Sequence, residues 1–251
     1  MTLSELLDEL RENVLDDDSE LASGPRDELW SDETLVRYLN DAQRRFARLS
    51  LALRDASTPE VVQVSLRAGV ASYPLHKAVR AVASARYDMD LTDLTRIGHV
   101  TIQDRPPPDT PTFNVNELSM MAPGRPVAIS TDEGLETAED SAVVLTVRPT
   151  PSSTEEGKIV YLRVARMPLE RLTLDEMEKS PEIPEEYHLD LCEGVGERCF
   201  RNADLDGASD RAARHEKRFN AAIAEALRVN RQKMFAPLTW NLGGNGFSWS
   251  R

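Results

Sequence analysis

The chain is poor in the residues that do chemistry, and each scarcity excludes a class of function. Its 251 residues hold two cysteines, Cys192 and Cys199, and four scattered histidines, His76, His99, His188 and His215. The cysteines lie seven apart in one predicted helix, about 10 Å along its axis. A disulfide needs Cα atoms within about 7 Å, so they are expected to be small core residues and not a pair. His188 and Cys192 share a helix face, but no further residue completes a zinc-site spacing. Asp16-Asp17-Asp18 lacks the glycine and glutamate that a calcium loop places at its sixth and twelfth positions, so a solvated acidic loop is expected. No Gly-x-x-x-x-Gly-Lys-Ser/Thr, Gly-x-Gly-x-x-Gly, Gly-x-Ser-x-Gly or His-Glu-x-x-His occurs. The histidines have no matched nucleophile. No enzymatic activity, cofactor or metal is expected.

Positive charge and long apolar runs are lacking too. The net charge is −13, whereas a binder of duplex DNA is normally basic because it neutralises phosphates. No apolar run approaches the roughly 20 residues that span a bilayer. Met1-Thr2-Leu3-Ser4-Glu5 is polar and acidic, unlike a signal peptide, which predicts a protein made and used in a cytoplasm.

What is present is hydrophobic periodicity at both ends. Leu3, Leu6, Leu7, Leu10 and Val14 follow a helical period over 3–15, and Thr2 with Glu5 has the form of a capping box. A second helix begins at Ser31, a favoured N-cap, with Trp30 and Leu35 at the positions of a hydrophobic staple. Leu35, Leu39, Ala42, Phe46, Leu49 and Leu53 make its inward stripe, at alternating spacings of four and three. Arg37, Arg44, Arg45, Arg48 and Arg54 fall on the other face, which is solvated or lies at a subunit boundary.

The middle alternates with period two. Val62, Val64 and Leu66 read as a strand, Gly69 as a turn, and Ser72–Leu75 as extended chain. Further strands are predicted over 79–87, 127–129, 142–147 and 159–164, which gives a small antiparallel β domain of about five strands. The proline-rich 104–126 stretch and the acidic 132–140 stretch read as loops.

An acidic connector, 170–182, leads to two closing helices. The first covers about 185–202, with Tyr187, Leu191, Cys192, Val195 and Cys199 inward. The second runs from about 209 to 234, with Ala212, Phe219, Ile223 and Ala226 inward. Between 198 and 233 there are nine Lys or Arg against five Asp or Glu, the one stretch of positive balance. The end, 236–251, carries two tryptophans among many glycines, the composition of an arm that orders against a partner.

Taken in order, these segments resemble the head-to-tail adaptor (connector) proteins of tailed bacteriophages, the group that includes tail tubular protein A. The resemblance rests on Leu29-Trp30-Ser31-Asp32-Glu33-Thr34-Leu35 through Ala42-Gln43, and on the Arg148-Pro149-Thr150-Pro151 turn. It continues in Leu162-Arg163-Val164 through Met167-Pro168-Leu169, in Ile183-Pro184-Glu185-Glu186-Tyr187-His188-Leu189-Asp190-Leu191, and in His215 to Phe219. It covers roughly 3–235.

The resemblance implies an α+β fold: a discontinuous helical bundle from 1–57 and 183–235, an inserted β domain over 58–182, and an extended arm over 236–251. It implies a structural virion protein at the neck. Twelve copies would form a ring beneath the portal, with a tail or nozzle protein below and genomic DNA passing through without specific binding. The basic end of the last helix, Arg228, Arg231 and Lys233, and the aromatics Phe235, Trp240, Phe247 and Trp249 are the residues expected to meet the portal. The residues alone leave open a monomeric assembly factor or regulatory protein-binding module outside the virion.

Overall fold

Local signals at each end of the chain set the helices. The computed structural model describes residues 1–15, 29–87, 92–96, 122–131, 142–203 and 207–235. In chain order these form α1 (Leu3–Glu9), α2 (Asp32–Ser50), β1 (Arg54–Asp55), α3 (Pro59–Val62), β2 (Gln63–Ser65), β3 (Ser72–Pro74), β4 (Val79–Tyr87), β5 (Thr92–Asp93), β6 (Thr95–Arg96), β7 (Ala128–Thr131), β8 (Val144–Arg148), β9 (Ile159–Arg166), α4 (His188–Asn202) and α5 (Ala208–Phe235). They divide into two compact units, Met1–Ala52 with Glu170–Arg251, and Leu53–Leu169. The stretches 16–28 and 132–141, most of the 104–126 loop, and the 236–251 arm lie outside the described residues.

In the helical unit, the Thr2 hydroxyl accepts from the Glu5 amide, and the Glu5 carboxylate accepts from the Thr2 amide, so the capping box of α1 is formed. The helix then widens into π-helical turns over Leu10–Leu15. That wider turn moves the inward position from Val14, which is half-buried, to Leu15, which is buried. Ser31 caps α2, its hydroxyl 3.4 Å from the Thr34 amide. Trp30 packs edge-on against Phe200, with ring centroids 6.0 Å apart.

Leu51, at φ 54°, takes the left-handed conformation that ends α2. The predicted stripe therefore fails at its end. Leu49 is 40% exposed, and Leu53 is buried beyond the helix, in the other unit. Ser50, four residues after Phe46, takes the inward place, its hydroxyl donating to the Phe46 carbonyl at 2.7 Å.

Helix α4 packs against α1 with its π turns, against α2 and against α5. Leu191, Cys192, Val195, Cys199 and Phe200 of α4 are buried, as are Ala212, Phe219, Ile223 and Ala226 of α5. Tyr187 is half-buried, its ring centroid 5.0 Å from that of Phe46. Both cysteines are free and buried. The connector binds this unit through its backbone: the Leu3 amide donates to the Lys179 carbonyl at 2.9 Å and the Ser4 amide to the Met177 carbonyl at 3.0 Å.

The β unit is built on β9. It pairs antiparallel with β4 along one side and with β1 and β2 along the other, and β5 extends β4. A second sheet runs β3-β8-β7-β6. The described residues thus hold nine strands, not about five, because several span only two or three residues. Most pairings are antiparallel, but β6 and β7 run parallel. The predicted strand at Val62 begins instead as α3, since Pro59 in its first turn favours a helical start. One apolar core serves the unit and includes Leu66, Tyr73, Val82, Ile129, Leu145, Val147, Val160 and Val164.

Candidate functional site

The residues expected to meet a partner lie on the last helix, so the site to seek is a surface built to meet another protein. Helix α5 supplies one. Its 28 residues extend about 42 Å at 1.5 Å per residue. One stripe, Ala208, Ala212, Phe219, Ile223, Ala226 and Asn230, is buried. The opposite face exposes Arg214, Lys217, Ala221, Ala224, Arg228 and Arg231, spaced three and four apart like a helix-packing seam.

The charges on this helix divide by their partners. Arg218 reaches Glu193 at 3.2 Å, and Arg228 is clamped by Glu225 at 2.6 and 2.9 Å. That hydrogen bond holds the Glu225 carboxyl below its ordinary value. Arg211 lies over the Phe200 ring, 5.5 Å from its centroid. Arg214, Lys217 and Arg231 have no ion-pair partner among the described residues.

Behind this face the packing is fixed by small residues and buried ions. Gly194 and Gly196 let α4 come close to its neighbours. A Cβ on Gly194 would stand 2.9 Å from Phe219 Cζ, and one on Gly196 would stand 2.7 Å from Val14 Cγ1 and 3.1 Å from His215 Nδ1. Glu197 of α4 is buried between Arg45 at 2.8 Å and Arg201 at 3.0 Å, which ties α4 to α2. His215 stacks on Phe200 and holds Glu193 at 2.6 Å. His188 is buried with Nε2 2.8 Å from the Ile183 carbonyl oxygen. Burial pushes its imidazole below the ordinary histidine value, which suits a packed neutral ring. Among the described residues no group of three or more His, Cys, Asp or Glu is arranged to hold a metal. No helix among them is long and apolar enough to cross a membrane.

Of the residues the sequence marks for the portal, Arg228, Arg231 and Lys233 are exposed on the last turns of α5, and Phe235 is its final residue. Trp240, Phe247 and Trp249 lie outside the described residues. The model of the SU10 adaptor protein family matches residues 1–241. The chain belongs to this family. It is therefore a phage head-to-tail adaptor, and its helical unit is made from both ends of the polypeptide. A search of the curated proteins found no match.

Two features of the adaptor lie outside the predicted pattern. Asn40 of α2 grips the connector, its Nδ2 donating to the Leu172 carbonyl and its Oδ1 accepting from the Leu172 amide, both at 2.9 Å. No sequence spacing announces that pairing. The close approach at Gly194 and Gly196 does have a signal, since two glycines inside a predicted helix are costly unless something packs against them.

Proposed function

We propose that this adaptor works as a wedge in a closed ring, twelve copies in number, seated beneath the portal of the head and above a tail or nozzle protein. The observation that carries this reading is the family match over 1–241. The two compact units serve as two domains, a helical one that meets its neighbours and the portal and a β one that meets the tail. The end of α5, with the exposed Arg228, Arg231 and Lys233 and with Phe235, and the aromatics Trp240, Phe247 and Trp249 of the following arm contact the portal.

Charge supports a passive passage for DNA. At −13 per chain, twelve copies carry about −150 before screening, and an acidic lumen repels the duplex instead of holding it. The protein then resides in the virion neck, after assembly in the host cytoplasm. Mixing the protein with its cognate portal and imaging the product by electron microscopy tests the reading. A second ring stacked on the portal is expected, and deletion of 236–251 should weaken docking. A protein that stays monomeric and leaves the portal bare contradicts the reading and favours a non-virion assembly factor.

A further inference from the structure

Helix α1 presents the opposite charge to α5. Glu5, Asp8 and Glu12 are exposed and three and four residues apart along α1 and its π turns. Within residues 1–15 the sole cationic side chain is Arg11, and it is turned to Asp32 at 2.6 Å and to the Trp30 carbonyl at 3.2 Å. Asp8 and Glu12 have no partner among the described residues. The first half of α5 is the complement. Arg211, Arg214, Lys217 and Arg218 are exposed within about two turns, with the small residues Ala221 and Ala224 exposed beyond them. The exposed acid there, Asp210, sits in the first turn of α5, where it complements the helix N-terminus. Glu216 is already held by Arg201 at 3.0 Å.

We propose that the acidic outward face of α1 seats the basic outward face of α5 on a second copy of this chain. The two charged stretches match in length, since Glu5 to Glu12 and Arg211 to Arg218 each extend about 10 Å. They also match in sign. The inner sides of both helices are committed to α4, so the charged sides are the ones left for a partner. Two different patches that fit each other make a heterologous contact: each copy that uses its α1 face still offers its α5 face, and such a chain of contacts closes as a ring when the rotation permits. The basic face could instead meet DNA, but a chain of net charge −13 opposes a polyanion, whereas a second copy brings the acids of α1. This inference rests on the ring reading above and names the surfaces that join its subunits.

The test uses full-length protein assembled on the portal. Asp8→Cys and Lys217→Cys single variants are mixed and treated with a short bis-maleimide. The native thiols are buried, and burial pushes Cys192 up to about 12, so neither competes. A crosslink between unlike variants is expected. A ring with no such crosslink, or with crosslinks only between like variants, overturns the proposal and leaves the adaptor reading intact. A bare portal overturns both.

Charge reversal supplies a second arm. D8K/E12K and R214E/K217E should each weaken assembly about tenfold, the worth of a few exposed ion pairs, with a smaller effect at high salt. Both reversals in one chain should restore it. Unchanged assembly in every variant overturns the proposal. So does an R214E/K217E ring that assembles normally but loses affinity for DNA, which would give the α5 face to nucleic acid.

Discussion

Gly194 decides how closely α4 and α5 approach, and Phe219 has little freedom to yield. Phe219 is buried, its ring 6.0 Å from that of Phe46 and with the Arg45 guanidinium 5.2 Å from its centroid. Alanine at 194 would gain about 1 kcal/mol of helix propensity but force a repacking worth about 1–3 kcal/mol. A net loss of about 1 kcal/mol is expected for Gly194→Ala, read as a lower urea midpoint, and Phe219→Leu in the same chain should recover part of it. In the β unit, Asp55 is buried and fully engaged. One carboxylate oxygen accepts from the Ser57 and Thr58 amides at 2.9 and 3.0 Å, and the other accepts from Arg166 Nε at 2.7 Å. Burial alone would raise its pKa, but these hydrogen bonds more than reverse that and hold the carboxyl well below the usual range. A folded-state value below the unfolded one stabilises the protein above about pH 4 and loses that contribution as the pH falls further. Asp55→Asn should cost about 2 kcal/mol at pH 7, and the gap to wild type should begin to narrow below about pH 4 and still be open at pH 2 in parallel urea melts, because the folded-state carboxyl titrates lower still.

At the scale of elements, the helices and the longer strands are legible in the sequence and the two-residue strands are not, for a physical reason. A helix carries its own signals: Thr2 with Glu5, Ser31, and the stripes through Phe46 and Phe219 are local in sequence. A two-residue strand such as β1 or β6 has no period to read and exists because a partner strand is there, as Thr95↔Ala128 and Arg96↔Ile129 pair across the intervening chain. Leu53 misled because the stripe continues in the sequence past the point where Leu51 ends the helix. The candidate site divides the same way. The positive balance of 198–233 was visible, but the sorting of its charges into paired (Arg218, Arg228) and unpartnered (Arg214, Lys217, Arg231) needs the fold. The Asn40 clamp was invisible because it joins a helix to a connector 132 residues away. Asn40→Ala should speed hydrogen exchange at the Leu172 amide by about tenfold or more, the worth of one lost hydrogen bond, with little effect on the β-unit amides. Unchanged exchange at Leu172 would show that the connector is held by something else.

At the scale of the whole molecule, the helical unit draws on residues before 53 and after 169, and the β unit occupies the chain between. On the outward face of α5, Arg214, Lys217 and Arg231 have no ion-pair partner among the described residues. The most direct measurement is electron cryomicroscopy of purified virions with the protein's density identified in the neck. A collar of this chain between portal and tail is expected, α1 of each copy against α5 of the next. Virions whose neck density leaves no room for this protein would contradict it.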